Sequence, residues 1–461
     1  MRVERDCVGE LEIEKDALYG INAVRAAHNF PISEEKSNPL LIKSMIEVKK
    51  AAAMANHISG AIDGAKAQAI IGACEQLLKE KYNSKAFIVP AFQGGAGTSV
   101  NMNVNEVIAN LANRNNHSQN INPNDDVNLA QSTNDTFPTA GKLAMLKLLP
   151  SLQEKVLALV EVLEEKEKEF KDTVKLGRTQ LQDAVPTTFG NSFRAYASLF
   201  KRDYSRLRNV EEHLVFVNLG GTAIGTGLNA DDIYQKKVVE KLSQITGIQL
   251  KQANDLIDAT QNCDVFLELS GVLKTLAVDL SKFSNDLRLL SSGPQAGFAE
   301  LKLPARQAGS SIMPGKVNPV IPEVVNQVAF QVIGNDAAIT MAVEGGQLEL
   351  NAFEPLIFRN LLQNETFLER AITTLIDNCV SGIEVNQEIC KKEVEDSVIL
   401  ATALTPALGY RETTRIVKLA MKEHCSIKEI VLSEGIMAET KFDSLMNAAN
   451  LLHEKIAEVT V

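Results

Sequence analysis

Residues able to do chemistry concentrate in one stretch, Gly309-Ser310-Ser311-Ile312-Met313-Pro314-Gly315-Lys316-Val317-Asn318-Pro319. A helical pattern ends upstream at Ser291-Ser292-Gly293-Pro294, and another opens near Pro322-Glu323. Glycine and proline punctuation between them predicts a loop. Serine hydroxyls, an ammonium and an amide beside exposed backbone N–H groups suit an anion. An ordinary surface turn uses the same residue types. A Walker-type phosphate cradle is excluded. The glycines at 309 and 315 stand one residue too far apart, Val317 occupies the metal-binding hydroxyl position, and no strand precedes.

Three more segments are rich in small hydroxyls and amides: Gly95-Ala96-Gly97-Thr98-Ser99, Gln131-Ser132-Thr133-Asn134-Asp135 and Gly177-Arg178-Thr179-Gln180-Leu181-Gln182-Asp183. Each reads as a loop beside a helix, and helix capping alone explains any one of them. Together they match a dicarboxylate, which wants several neutral donors and a cation. Thr98, Ser132, Thr133, Asn134, Thr179 and Asn318 supply the donors, and Lys316 the cation. A single lysine against two carboxylates avoids an over-tight ground state.

The elements that must carry these loops are helical. Leu152, Val156, Leu159, Val160, Leu163, Phe170 and Val174 recur at helical spacing over 151–176, with Ser151 as N-cap after Pro150. Similar runs cover 264–290, 322–343 and 355–379. All exceed the usual length of about 11–12 residues. Val265, Leu267, Leu269, Leu273, Leu276 and Val278 spread around most of one helix, which predicts burial on all sides and hence self-association. Upstream, a short strand is expected at 11–14, extended loop at 17–20 and 29–31, and helices from 39 and over 64–81. A glycine-rich turn at 93–98 leads into a helix near Asn101. Downstream, Ser426 and Glu429 form a capping-box pattern. The division is an N-terminal mixed, mostly helical domain at 1–135, a central long-helix bundle at 136–388 and a small C-terminal helical domain at 389–461.

A net charge of -11 argues against nucleic acid as the main partner, and no apolar run is long enough for a membrane span. The N-terminus lacks an apolar signal region, so a cytoplasmic protein is expected. The cysteines (Cys7, Cys74, Cys263, Cys379, Cys390, Cys425) and the histidines show no metal-ligand spacing. Buried, reduced thiols and no structural transition metal are expected.

The stretch from Gly309 to Asn318 resembles the signature G-S-S-x-M-P-x-K-x-N of the aspartase/fumarase superfamily. The other three segments resemble that family's active-site segments in its order, as do Pro123-Asn124-Asp125 and the run from Gly220 to Gly227. The chain is most similar to the aspartase branch. Ala96 stands where fumarases have serine, Pro322-Glu323-Val324-Val325-Asn326-Gln327-Val328 is aspartase-like, and Gln180 replaces a histidine of fumarases and some aspartases. Expelling hydroxide from malate needs a proton donor, whereas the amine of aspartate leaves already protonated. Entry of His117 or His213 from another subunit stays open.

The resemblance implies a mainly α, three-domain lyase whose long helices assemble into a multi-helix tetramer core. It implies active sites shared between three subunits. The reaction it implies is reversible anti elimination of ammonia from L-aspartate to fumarate through a carbanion/enediolate. Ser310 would be the base, with Ser311 as adjacent rival or carboxylate donor. Lys316, Asn318 and Thr179 would hold the α-carboxylate, and Thr98, Ser132 and Thr133 the β-carboxylate. Asn134 would meet the amine, and Gln180 would orient the ammonium or a carboxylate. No cofactor is required; activation by a divalent cation such as magnesium stays open. Rival readings are a fumarate hydratase, a lyase for a substituted aspartate, and a helical scaffold that has lost activity.

Overall fold

The computed structural model describes residues 1–80, 82, 85–115, 119–423 and 425–446. Strands β1 (Arg2–Asp6) and β2 (Gly9–Ile13) pair antiparallel; the alternation at 11–14 signals only the second. Helix α1 (Ile21–Asn29) takes in Asn29, where extended loop is expected. Its start is stabilised from a distance: the Glu106 carboxylate accepts the N–H groups of Gly20, Asn22 and Ala23 at 2.8, 2.7 and 3.3 Å. First-turn donors of a helix need such acceptors. Helices α2 (Pro39–Ser59), α3 (Gly64–Lys79) and α4 (Thr98–Asn115) follow. Asn38 and Asp63 cap the first two.

Helix α5 runs from Thr133 to Glu169, through Pro138 and Pro150. The start expected at Ser151 is therefore wrong. A proline inside a helix costs about 3 kcal/mol when nothing compensates. Here Leu146, Leu149 and Leu152 around Pro150 are 3%, 0% and 0% exposed, and their burial offsets the lost hydrogen bond. Ser151 Oγ bonds Glu369 Oε1 at 3.0 Å instead of capping.

Strands β3 (Val174–Thr179) and β4 (Gln182–Thr188) make a hairpin, followed by α6 (Phe189–Leu214). Next come β5 (Phe216–Val217), α7 (Asp232–Thr246), β6 (Lys251–Gln252) and α8 (Leu256–Gln261), with β5 and β6 parallel. Helices α9 (Asp264–Leu290), α10 (Val320–Glu344) and α11 (Glu354–Asn378) fall where the apolar periodicity predicts them. Strand β7 (Leu301–Lys302) pairs with β8 (Glu384–Val385), and α12 (Gln387–Asp396) opens the tail.

The chain forms two compact units: residues 1–154, 203–278 and 328–370, and residues 155–202, 279–327 and 371–461. In the first, Phe358 packs on Phe137 and Phe266, with ring centroids 5.1 and 4.9 Å apart. In the second, Phe200 and Tyr196 pack on Phe283. A separate apolar cluster in the tail joins Leu404, Ile416, Ile430, Val431 and Phe442, and the capping box at Ser426 forms as expected. Cys74, Cys263, Cys379 and Cys390 are buried thiols, whereas Cys7 is exposed and Cys425 half-buried, against expectation. Cys7 sits in the two-residue turn between β1 and β2, which has no core to enter.

Candidate active site

In the first unit the site residues gather around two helix starts. Gly97 enters α4 with φ +88, and a Cβ there would lie 2.4 Å from the Phe137 ring, so only glycine fits. Thr98 follows, its N–H bonded to Gly95 O at 2.9 Å and its side chain exposed. Ser132 and Thr133 lie at the N-terminus of α5, where the helix dipole favours an anion. Ser132 Oγ accepts the Asn134 N–H at 3.2 Å.

Thr133 is nearly buried, and its hydroxyl oxygen accepts from Asn101 Nδ2 at 3.1 Å. Asn101 Oδ1 in turn accepts from Thr136 Oγ1 at 3.4 Å, which sets the amide's orientation. The Thr133 O–H proton is thereby left to point elsewhere, as a donor. Asn134 Nδ2 donates to Ala223 O at 2.8 Å, so its Oδ1 remains as an acceptor. Below lies Lys49, fully buried, donating to Asn128 Oδ1 at 3.0 Å and Gln131 Oε1 at 2.9 Å. Burial pulls its ammonium down to about 7. Sequence reasoning assigned no role to Asn101, Lys49 or Asp135. Polar residues at apolar helix positions were the available signal.

The second unit holds the rest. Residues 177–183 are not a loop beside a helix: Thr179 pairs with Gln182, and Gln180-Leu181 form the hairpin tip with φ +53 and +62. That conformation favours glycine or asparagine, so neither residue signals the turn. Thr179 and Gln180 are exposed. The hairpin is anchored below its tip. Arg178 bridges Glu300 and Glu393, the latter at 3.0 Å, and stacks 4.4 Å over Phe298. Lys175 lies 3.1 Å from Glu300, whose side chain is fully buried. The nearby Glu300 carboxylate adds to burial in raising the Glu393 carboxyl.

In the signature loop, Ser310 Oγ accepts two backbone N–H groups, from Ile312 at 3.2 Å and Met313 at 3.0 Å. The loop closes on itself: Gly309 N–H donates to Lys316 O at 2.7 Å, and Asn318 Nδ2 to Gly309 O at 3.0 Å. A Cβ on Gly309 would meet Lys316 O at 2.8 Å, so the closure requires glycine. Ser311 and Lys316 are exposed; Ser310 and Asn318 are partly covered. Two amides aimed at one hydroxyl oxygen stabilise negative charge there.

Thr98, Ser132, Thr133 and Asn134 thus belong to the first unit, and Thr179, Gln180, Ser310, Ser311, Lys316 and Asn318 to the second. His213 lies on the exposed side of α6, 2.8 Å from Glu268, and His117 is outside the described residues. Among the described residues no three His, Cys, Asp or Glu side chains are grouped to hold a metal, and no helix is long and apolar enough to cross a membrane.

Residues 9–334 match the family model described as "Lyase", and residues 400–453 match "Fumarase C C-terminus". The chain belongs to the aspartase/fumarase superfamily. Aspartate ammonia-lyase of Helicobacter pylori is 48% identical over 459 residues, 98% of each chain. The fumarate lyase:delta crystallin from Brucella melitensis, crystallised with cobalt, superposes with TM-score 0.94 at 47% identity, covering 98% of each chain. The class II fumarase of Schistosoma mansoni gives TM-score 0.91 at 34% identity, covering 97% of this chain and 98% of that one. Aspartase/fumarase membership establishes the fold and the lyase class. The leaving group depends on the side chains at the site.

Proposed function

We propose that this chain catalyses the reversible anti elimination of ammonia from L-aspartate, giving fumarate. Relatives named aspartate ammonia-lyase, matched over nearly the whole chain, support the substrate. The observation that carries the chemistry is the pair of amides on Ser310 Oγ. A serine hydroxyl is too weak an acid to ionise at neutral pH unaided. Two N–H donors and the Lys316 ammonium of the same loop lower that barrier.

The Ser310 alkoxide takes the C3 proton. The electron pair moves into the neighbouring carboxylate, forming an enediolate. Thr98, Ser132 and Thr133 donate to that oxyanion, and the α5 N-terminus adds its dipole. Lys316, Asn318 and Thr179 hold the α-carboxylate. The enediolate then collapses: the C2–C3 double bond forms, and the C–N pair leaves with ammonia. Asn134 Oδ1, fixed as an acceptor by the Ala223 contact, suits the substrate ammonium. Gln180 is a second amide for the ammonium or carboxylate. Ser311, exposed beside Ser310, is a carboxylate donor in this scheme. No redox or carrier cofactor enters these steps; magnesium dependence is a matter for assay.

We further propose a cytoplasmic homotetramer with sites shared between three subunits. Helix α10 exposes Phe330 and Met341 at 60% and 67%, a large apolar face that self-association would cover. A fumarate hydratase is the second reading, favoured by the match to the fumarase C-terminal model. A lyase for a substituted aspartate is the third. Ultraviolet absorbance of fumarate, with L-aspartate and L-malate supplied in parallel, decides. Turnover of aspartate and not malate is expected. Faster turnover of malate overturns the reading, and silence with both turns the search to substituted aspartates.

A further inference from the structure

The scheme above assigns no role to Asp135, yet its carboxylate is fully buried and holds three backbone amides. Oδ1 accepts the Ser132 N–H at 3.0 Å; Oδ2 accepts the N–H groups of Gly220 and Thr222, each at 3.1 Å. Two parallel bonds reinforce the seam: Asn134 Nδ2 to Ala223 O at 2.8 Å, and Asn218 Nδ2 to Asn134 O at 2.9 Å. Thr222 has φ +56, a conformation that a threonine keeps only when its surroundings impose it.

We propose that Asp135 is a positioning residue: its carboxylate clasps residues 220–222 to the start of α5 and so holds Ser132, Thr133 and Asn134 in the geometry that receives the substrate. The inference rests on the reading of those three side chains as substrate contacts. The ionised carboxylate, with both oxygens accepting, satisfies all three donors. Burial pushes the carboxyl up to about 6, against the three amides and Lys49. The groups facing it are Lys49 of α2, whose own ammonium burial pulls down to about 7, and Tyr234 of α7, whose phenol burial and Asp135 push well up. Because burial raises the carboxyl above its solvent-exposed value, the clasped state holds its proton more tightly than an opened one, so the clasp persists as pH falls.

Steady-state kinetics on the full chain test this, with wild type, Asp135→Asn and Thr133→Ala. The Asn variant should raise KM for aspartate about tenfold while kcat changes less than about threefold. A wild-type KM overturns the clasp. If Asp135→Asn fails to fold, hydrogen exchange on the wild type replaces it. After correction for intrinsic exchange, peptides covering 130–136 and 218–227 should open together with one common protection; independent exchange overturns the proposal. Thr133→Ala separates the two layers. An unchanged KM there sinks the site reading itself, whereas a raised KM beside a normal Asp135→Asn sinks the clasp alone.

Discussion

The side-chain amide nitrogen of Asn101 lies 3.1 Å from the hydroxyl oxygen of Thr133 and 3.2 Å from the side-chain oxygen of Asn128. One amide group therefore joins the start of α5 to the shell around buried Lys49. Because the amide donates, the threonine must direct its own proton elsewhere.

Asn101→Ala should lose that orientation without removing any group from the substrate. Asn128 Oδ1 keeps the Lys49 and Asn105 donors, so the loss falls on the Thr133 hydroxyl oxygen and costs about 1–3 kcal/mol. Aspartate kcat/KM is expected to fall about tenfold to a hundredfold, with Asn101→Ser partly restoring it. Equal values for the alanine variant and wild type would remove Asn101 from the site.

Ser310→Ala deletes the proposed base and leaves both loop amides in place. General-base removal typically costs about 10²–10⁴ in rate. Loss of kcat with KM changed little is expected, in an enzyme with an unaltered circular dichroism spectrum. If Ser311→Ala shows that loss and Ser310→Ala does not, the base is Ser311.

Arg178→Lys should loosen the hairpin below Thr179. Lysine cannot bridge Glu300 and Glu393 as the guanidinium fork does, and it gives up the Phe298 stack. Breaking a buried pair costs about 3–5 kcal/mol when one partner goes entirely. Lysine keeps a charge, so roughly half that loss is expected in a urea melt. KM for aspartate should rise as well. Full stability and normal KM would show that the hairpin holds its shape by other contacts.

Glu365 on α11 is buried, neither carboxyl oxygen has a hydrogen-bond partner among the described residues, and burial holds its pKa well above the ordinary value of 4.5. Burial therefore favours its protonated form in the fold, and unfolding restores the ordinary carboxylate. The native state is therefore favoured most below about 4.5, and that advantage is lost as pH rises toward the folded value. Glu365→Gln, which cannot ionise, should be more stable than wild type at neutral pH, by about 1–3 kcal/mol. The gap should shrink on acidification. Thermal midpoints of both proteins against pH check this; a gap that widens in acid contradicts it.

Features set by neighbouring residues were legible in the sequence. The periodicity over 264–290 places α9 because an apolar stripe at helical spacing demands a packed face. The signature loop is legible for the same reason: Gly309, Gly315 and their prolines dictate a turn, and Ser310 turns back on amides two and three residues ahead. Tertiary contact decided the rest. Asp135 and Gly220 are 85 residues apart and Asn101 and Thr133 are 32 apart; no spacing rule reports a hydrogen bond at that distance. The tip at Gln180-Leu181 carries no glycine, so only the paired strands below it impose the turn. Likewise Pro150 reads as a helix boundary. The helix continues through it because Leu146, Leu149 and Leu152 are buried by other parts of the fold. Local chemistry determined which groups this protein offers to a carboxylate. Packing between distant segments decided which way those groups point, because a donor's direction is fixed by whatever occupies its other side.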